Sequence, residues 1–216
     1  MPCYTEQVGG VDTTVMNDVI VYESGNGLYI NLTNRCPCDC VFCIRKKKES
    51  INDNENLWLS KEPTYDEITE AIDDKKAADF SEIVFCGFGE PTERLDALLE
   101  TARYIKEKNP GSHIRLNTNG LSDLINKKPT AKDLSANIDS ISISLNVPNK
   151  EDYVKTCRPA FGEKSFDAII NFALECKKHF KDVCFSTVDA INGDKTNECK
   201  KICDELRIRL RIRTNI

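Results

Sequence analysis

Four cysteines lie within eight consecutive positions, and this group constrains the fold and function more than any other feature of the chain. It belongs to residues 28–45, LYINLTNRCPCDCVFCIR, and its members are Cys36, Cys38, Cys40 and Cys43. Residues 28–33 alternate apolar and polar side chains directly before it, which predicts a strand. The thiols are therefore expected on a loop at the carboxyl end of a strand, where α/β folds place their ligands.

Length and composition indicate one globular domain. A chain of 216 residues can bury a sizeable core, and 40% hydrophobic residues is typical of soluble proteins. No apolar run approaches the roughly 20 residues that a membrane helix needs. The N-terminus lacks the basic start and apolar centre of a signal peptide. We expect a cytoplasmic protein with no membrane partner.

Charge and cysteine content exclude further classes. The net charge of −5 argues against a mainly electrostatic nucleic-acid binder, although the basic run at residues 45–48 leaves room for a local patch. Eleven cysteines without a secretory signal indicate metal or cluster ligation rather than a disulfide framework. The only histidines, His113 and His179, do not supply a histidine-rich metal site.

Strand and helix patterns alternate from residue 28 to residue 213 and give six strands. Such alternation predicts a parallel sheet with crossover helices, either curled as a partial barrel or left open. An additional strand at residues 18–23 and a turn at 24–27 make a hairpin with the first of the six possible. We predict an α/β fold, a partial (βα)6 TIM-like barrel of parallel strands. Residues 1–19 are interpreted as an N-terminal arm and 20–216 as a single core domain.

Several of these strands carry polar side chains at every second position. In residues 113–120 and 139–146 the apolar set is expected to pack on the helices and the polar set to line the inner face. A polar inner face predicts a wet, ligand-holding cavity; the alternative is a sheet with one face open to solvent. In the last strand the polar set is Arg207, Arg209, Arg211 and Arg213. These arginines could hold an anionic substrate in the barrel or pair with helix carboxylates outside it.

The cysteine loop allows three interpretations. Tetrahedral zinc usually takes two separated Cys-x-x-Cys pairs, whereas the spacings here are one, one and two residues. Four structural thiols in a loop rich in Pro, Asp and Asn would have no evident purpose. Iron–sulfur cubanes are held by thiolates on tight loops, and Cys36, Cys40 and Cys43 have a three-then-two spacing. Three ligands would leave one iron open to another molecule.

Further motifs accompany this spacing. Cys36-x3-Cys40-x-Phe42-Cys43 resembles the signature of the radical S-adenosylmethionine (SAM) superfamily. Other parts follow in that superfamily's order: a glycine–glutamate–proline loop at residues 87–91, Asn-Thr-Asn-Gly at 117–120 and Ser-Leu-Asn at 144–146. The resemblance covers residues 18–216. The amino-acid sequences of residues 28–45 and 57–68 are also similar to those of a branch called TatD-associated radical SAM proteins. This closer resemblance implies no particular substrate.

The resemblance implies two cofactors and a radical reaction. Cys36, Cys40 and Cys43 would hold a [4Fe-4S] cluster whose open iron binds the methionine part of SAM. Reductive cleavage of SAM would give methionine and a 5′-deoxyadenosyl radical that abstracts hydrogen from an unidentified substrate. An external electron donor such as flavodoxin or ferredoxin is implied.

The resemblance also implies which residues contact SAM. Gly87 and Gly89 would admit the methionine amino group, and Glu90 would cap their turn. Asn117, Ser144 and Asn146 would reach the ribose hydroxyls or the carboxylate, and Phe42 and Val188 would bracket the adenine. The full set of predicted cofactor-binding residues is Phe42, Gly87, Gly89, Glu90, Asn117, Ser144, Asn146 and Val188.

Three further residues are candidates for other roles. Cys38 is expected to be a spare thiol beside the cluster. Cys157 could donate a hydrogen atom to a substrate radical, and Arg158 could pair with a carboxylate of SAM or substrate. No other catalytic residue is predicted.

The substrate is left open by the sequence. A peptide, a protein or a nucleobase-type molecule could close the open side of a six-stranded barrel, and nucleic acid is disfavoured by charge but not excluded. The alternative functions are a small activase that installs a glycyl radical on a partner protein and an enzyme resembling carboxy-deazaguanine synthases. A non-catalytic iron–sulfur or metal carrier is the alternative from another class, but a carrier has no need of the glycine–glutamate–proline loop.

Overall fold

One seven-stranded sheet forms the centre of the molecule, and its strands lie side by side in chain order. The structure is a computed structural model that describes residues 18–46, 56–189 and 195–213. The strands are β1 Val21–Ser24, β2 Gly27–Ile30, β3 Glu82–Phe85, β4 Ile114–Thr118, β5 Ser140–Ser144, β6 Asp182–Val188 and β7 Arg209–Arg213. Residues 1–17 of the predicted arm, Cys3 among them, lie outside the described residues, as do Lys47 and Lys48 of the basic run.

The strand directions agree with the sequence prediction. β1 pairs with β2 in antiparallel orientation around a turn in which Gly25 has a φ of 58°, so the predicted hairpin is confirmed. The five pairs from β2–β3 to β6–β7 are parallel. The chain is thus an α/β domain with six parallel strands, the partial (βα)6 arrangement that was predicted.

Seven helices connect or flank the strands within the described residues. They are α1 Tyr65–Asp74, α2 Leu95–Lys108, α3 Ser122–Asn126, α4 Ala131–Leu134, α5 Lys150–Cys157, α6 Lys164–His179 and α7 Lys195–Leu206. Thr64 and Glu67 form the capping box of α1. The sequence did not predict α3 or α5. In α5 only Tyr153 and Cys157 are buried, too few apolar positions to give a helical period.

The apolar faces of the strands pack against these helices. Ile30, Leu116 and Ile143 are fully or almost fully buried in one core with Ile68 of α1 and Leu98 of α2. The prediction for the last strand is wrong at one position, because Ile212 is 50% exposed on the edge strand β7. No helix in the described ranges is long and apolar enough to cross a membrane.

The core prediction can be tested at Phe185, which is completely buried in β6. Phe185→Ala removes a large side chain and leaves a cavity, so the free energy of unfolding should fall by about 3 to 5 kcal/mol. The measurement is urea unfolding followed by circular dichroism. Ile212→Ala on the neighbouring strand is the control and should cost less than about 1 kcal/mol. Equal costs for the two variants would contradict this description of the core.

Candidate functional site

The loop with the four cysteines follows β2 and is fixed on one side by residues 57–62. The Asn34 side chain donates to the Leu59 carbonyl at 2.7 Å and accepts from the Leu59 amide at 3.1 Å, as a paired backbone would. Asn31 is fully buried, and its side-chain amide nitrogen donates to the Leu57 carbonyl at 2.8 Å. The Glu62 carboxylate accepts from Thr33 at 2.7 Å and from Arg35 at 2.6 Å. Residues 57–62 therefore fix the conformation of residues 31–35, the part of the loop that precedes the cysteines.

On its other side the loop contacts the end of α5. The amide of Asp39 donates to the Cys157 carbonyl at 3.1 Å, and the amide of Val41 donates to the Thr156 carbonyl at 2.9 Å. The amide of Ala160 donates in turn to the Pro37 carbonyl at 2.7 Å. The cysteine loop thus gains a short antiparallel partner from residues 156–160, which sequence analysis did not detect.

The thiols occupy two kinds of position. Cys36, Cys40 and Cys43 are partly exposed, whereas Cys38 is only 4% exposed and faces the core. This division separates the three predicted ligands from the predicted spare thiol. Arg45 braces the loop from within, since its guanidinium donates to the carbonyls of Cys38 at 3.1 Å and Asn34 at 3.3 Å.

Hydrogen bonds among the thiols divide them into acceptors and donors. Hydrogen bonds from Cys157 and Cys38 lower the pKa of Cys40 to about 4, and a hydrogen bond from Cys38 lowers the pKa of Cys36. The pKa values of Cys38 and Cys157 are raised because these two thiols donate to the others and are buried. Burial also raises the pKa of Cys43. The hydrogen bonds from Cys38 and Cys157 therefore favour the thiolate form, the form that binds iron, in two of the three predicted ligands.

The two buried thiols have further polar contacts. The Cys38 sulfur lies 3.9 Å from the Tyr153 hydroxyl, and the Asn146 amide nitrogen lies 3.7 Å from the Cys157 sulfur. Asn146 has a φ of 61°, a left-handed conformation that asparagine tolerates better than most residues. Its side chain is thus turned toward Cys157, behind the cysteine loop.

The glycine–glutamate–proline loop crosses the cysteine loop at close range. The amide of Glu90 donates to the Arg35 carbonyl at 2.8 Å. A Cβ on Gly89 would lie 2.2 Å from the Thr33 carbonyl oxygen and 2.6 Å from that of Arg35, and a Cβ on Gly87 would lie 2.0 Å from the Asn31 side-chain oxygen. Both glycines are therefore required for the approach of the two loops.

Glu90 joins this loop to the end of β4. One carboxylate oxygen accepts from the Thr92 hydroxyl at 2.8 Å and the Thr118 hydroxyl at 2.7 Å, and the other accepts from the Asn119 amide at 2.7 Å. Glu90 also accepts from the Thr92 amide and so caps the 3-10 turn Pro91–Arg94, which follows the two glycines, rather than the glycine turn itself. Burial raises the pKa of this carboxyl, which is only 3% exposed. These hydrogen bonds hold the glycine–glutamate–proline loop against the end of β4, which is a positioning role.

The motif at residues 117–120 contributes a residue that was not among the predicted site residues. The side-chain amide nitrogen of Asn119 lies 4.0 Å from the Cys36 sulfur. The side-chain oxygen of Asn117 instead accepts a hydrogen bond from Arg115 at 2.5 Å. The alternation of β4 could have indicated this, since Asn119 lies two positions beyond Asn117. The structure thus brings Asn119 to the cysteine loop and directs Asn117 toward the inner face of the sheet.

The remaining residues predicted to contact SAM lie at the ends of strands or in the cysteine loop. Ser144 ends β5, Val188 ends β6, and each is partly exposed. Phe42 is partly buried against the main core. Because parallel strands end at one edge of a sheet, these residues lie at the same edge as the cysteine loop.

The two candidate catalytic residues lie at the back of the loop. Cys157 is fully buried beside Cys40, and Arg158 has a left-handed φ of 45° at the end of α5. The Arg158 side chain is 57% exposed and forms an ion pair with Asp39 at 3.6 Å. The structure therefore brings both to the cysteine loop, and the charge of Arg158 is matched by Asp39.

The inner face of the sheet is polar, as predicted. Toward the amino ends of the strands, away from the cysteine loop, this face lines a cavity of about 350 Å³ whose wall includes Tyr29, Arg115, Ser140, Arg209 and Arg211. Arg115 binds Glu82 through two hydrogen bonds of 2.8 and 2.7 Å. Arg209 and Arg211, two of the four arginines of the predicted last strand, therefore line the cavity. This position favours the interpretation that these arginines hold an anion inside the barrel over pairing with helix carboxylates outside it.

Comparison with known proteins extends this description. Residues 30–206 match the family model described as the Radical SAM superfamily. A curated relative, the GTP 3′,8-cyclase of Limosilactobacillus fermentum, is 29% identical over 169 residues, which cover 78% of this chain and 47% of the relative.

Solved structures share the fold. A radical SAM methyltransferase from Sphaerobacter thermophilus aligns with a TM-score of 0.62 at 16% identity, over 90% of this chain and 57% of the other. The protein anSMEcpe with bound AdoMet aligns with a TM-score of 0.61 at 22% identity, over 87% of this chain and 50% of the other. The chain spans about half the length of the relatives that it matches.

A partial α/β barrel with a thiol loop, a glycine–glutamate loop and a polar interior defines a cofactor-dependent class of protein. More particularly, the chain belongs to the Radical SAM superfamily, whose members bind a [4Fe-4S] cluster and SAM. The closer TatD-associated branch is not identified by these matches.

The residues present fit these cofactors. The exposed donors at the loop are sulfur atoms of three cysteines, the ligand type that iron–sulfur clusters take. Within the described ranges no three His, Cys, Asp or Glu side chains are placed to hold a single metal ion. A cubane differs from a single ion because each thiolate binds a separate iron atom.

The approach of the two loops can be tested by substitution of Gly89. A methyl group there would overlap two backbone carbonyls, so Gly89→Ala should lower the free energy of unfolding by about 1 to 3 kcal/mol. Urea unfolding of the cofactor-free chain measures this. Gly111→Ala is the control, because its Cβ would meet only the Asn109 side chain at 3.7 Å. A neutral Gly89→Ala would show that the loops are further apart than described.

The pair of Glu82 and Arg115 predicts a pH dependence. Hydrogen bonds from Arg115 hold the pKa of Glu82 below its ordinary value, so the pair stabilises the fold above about pH 4.5 and is lost as the pH falls below it. Glu82→Gln should therefore cost about 1 to 2 kcal/mol at pH 7 and progressively less toward pH 3. Urea unfolding of the cofactor-free chain across this range would detect it. A cost that does not change with pH would contradict the pairing.

Proposed function

We propose that this chain is a radical SAM enzyme in which Cys36, Cys40 and Cys43 hold a [4Fe-4S] cluster. When bound and reduced, the cluster supplies the electron that cleaves SAM to methionine and a 5′-deoxyadenosyl radical, which takes hydrogen from a substrate. The observation that carries this proposal is the contact between the cysteine loop and the glycine–glutamate loop, through the bond from the Glu90 amide to the Arg35 carbonyl. A simple metal carrier has no use for that second loop.

In this proposal the other two thiols of the site tune the ligands. Cys38 and Cys157 keep their protons and donate to Cys36 and Cys40, which favours the thiolate form of those ligands. The side-chain amide of Asn119 adds a hydrogen-bond donor at the Cys36 sulfur. Hydrogen bonds to ligand sulfurs are among the factors that set the reduction potential of such clusters. Cys38 is thus assigned a hydrogen-bonding role and Cys157 a similar one in place of hydrogen-atom donation.

The residues predicted to contact SAM retain that role, with different contributions. Gly87 and Gly89 expose backbone beside the cysteine loop, and Glu90 holds that backbone to β4 from a buried position. Ser144, Val188 and Phe42 surround the space over the strand ends where the nucleoside part would bind. Asn117 and Asn146 contribute through Arg115 and Cys157, which their side chains contact.

The organisation of the whole protein follows from the same proposal. Residues 20–216 form the radical SAM core and 1–19 an arm. The protein is proposed to be cytoplasmic, to belong to the TatD-associated branch and to take electrons from an external donor such as flavodoxin or ferredoxin. The activase and carboxy-deazaguanine-synthase-like alternatives are not favoured by the matches, and GTP is the substrate of a relative of which this chain covers less than half.

The test is anaerobic reconstitution followed by dithionite and SAM. The wild-type chain should bind about four iron atoms and release 5′-deoxyadenosine. Cys36→Ala, Cys40→Ala and Cys43→Ala should each abolish release, because a cubane with two protein thiolates is not retained. A full cluster without 5′-deoxyadenosine above background would overturn the enzyme assignment.

Two control variants separate ligation from packing. Cys38→Ala should keep the cluster and SAM cleavage but change the reduction potential, because it removes a hydrogen-bond donor to ligand sulfur. Cys176→Ala replaces a buried thiol of α6 in the core and should leave all three properties unchanged. Loss of the cluster in Cys38→Ala would show instead that Cys38 is itself a ligand.

A further inference from the structure

The last strand presents a row of arginines to the interior of the barrel. Side chains alternate along a strand, so Arg209, Arg211 and Arg213 share one face of β7. Arg209 and Arg211 line the inner cavity, which lies toward the amino ends of the strands, whereas Arg213 ends β7 at the edge that carries the cysteine loop. Arg213 interacts electrostatically with Arg115 and Arg211 and with the thiols of Cys86 and Cys184, and of these Arg115, Arg211 and Cys184 line the cavity. The row therefore faces the interior.

The charges of these arginines are not all balanced. Arg115 is matched by Glu82 at 2.7 Å, and Arg209 is matched by Asp182 at 3.2 Å. Among the residues that the structure describes, neither Arg211 nor Arg213 has a carboxylate within 4.0 Å. Arg211 contributes only a longer-range effect to the pKa of Glu82. Among the described residues, the inner face of β7 thus carries two positive charges without a paired carboxylate, with Arg211 exposed to solvent and Arg213 partly buried.

Arg213 is the more constrained of the two. Its Nε atom is buried and has no hydrogen-bond acceptor among the described residues. Burial lowers the pKa of the guanidinium, and the neighbouring charges of Arg211 and Arg115 act in the same direction. A buried donor without an acceptor and a desolvated charge without a counterion are both unfavourable, and one bound anion would relieve both.

The surroundings of Arg213 place it beside the proposed radical source. Its register partner on β6 is Val188, which is proposed to contact the adenine of SAM. Ser186 lies two positions before Val188 and is the register partner of Ser144, so serine side chains occupy the neighbouring strands on this face. Hydroxyl and guanidinium donors together are typical of sites that bind carboxylate or phosphate.

We propose that Arg211 and Arg213 bind an anionic group, a carboxylate or phosphate, of the substrate inside the barrel. This inference rests on the proposed radical SAM function, because it places the anion beside the nucleoside part of SAM. An anion held there would fix the distance between the rest of the substrate and the site of the radical. The substrate is therefore either a small molecule or the end of a larger one, and it carries an anionic group rather than a neutral group at that end.

The test uses the reconstituted protein with saturating SAM and inorganic phosphate as the probe. Equilibrium dialysis of radioactive phosphate, at ionic strength held constant with chloride, should reveal one saturable site per chain. Arg213→Gln and Arg211→Gln should each weaken phosphate binding by about tenfold or more, because a charge-assisted bond to the anion is lost. Arg213→Lys should restore part of the affinity, since the charge remains.

Two matched controls remove the same charge elsewhere. Arg209→Gln changes the same strand face at a residue already paired with Asp182, and Arg103→Gln changes an exposed position of α2 that pairs with Glu107. Both should bind phosphate within about twofold of wild type, because neither charge is uncompensated. Circular dichroism verifies that each variant is folded.

Each other result has a distinct meaning. No saturable phosphate binding by a protein that still cleaves SAM would overturn the anion site and leave the proposed function intact. Equal weakening in all four glutamine variants would also overturn it, since only net charge would matter. A selective loss of SAM affinity in Arg213→Gln would assign the guanidinium to the carboxylate of SAM instead of the substrate. Failure of SAM cleavage in wild type would overturn the proposed function itself.

Discussion

The site depends on a contact between two backbones with no side chain between them. Gly89 lies against the Thr33 and Arg35 carbonyls, and the next residue, Glu90, donates its amide to Arg35. The Glu90 carboxylate then binds the end of β4 at Thr118 and Asn119. Three strand ends are joined in this way around one buried acidic side chain. The cysteine loop is consequently held in a rigid frame, which limits the rearrangement needed when ligands bind.

The thiols of the cysteine loop also differ from one another in their environments. The same short loop holds partly exposed sulfurs that accept hydrogen bonds and a buried sulfur that donates them. The difference arises from what lies behind the loop, namely Tyr153 and Cys157 of α5. Four cysteines that are equivalent in the sequence thus become three partly exposed thiols and one buried hydrogen-bond donor through packing alone.

Much of the fold was predictable because its signals are local. The alternation of residues 113–120 and 139–146 predicted both the strands and their polar inner face, and the turn at 24–27 predicted the hairpin. The features that were missed depend on contacts between distant segments. No local pattern indicates that residues 156–160 pair with the cysteine loop or that Arg158 forms an ion pair with Asp39. Helix α5 was missed because it buries only two side chains.

The pairing of the cysteine loop with residues 156–160 has a consequence for biogenesis. The hydrogen bonds from Asp39 and Val41 join the loop to a helix that follows three further strands of the sheet. Contacts between segments so far apart in a chain form late in folding, because closing a long loop costs entropy. The cysteine loop therefore reaches this arrangement only after residues 156–160 have been synthesised and have packed against it.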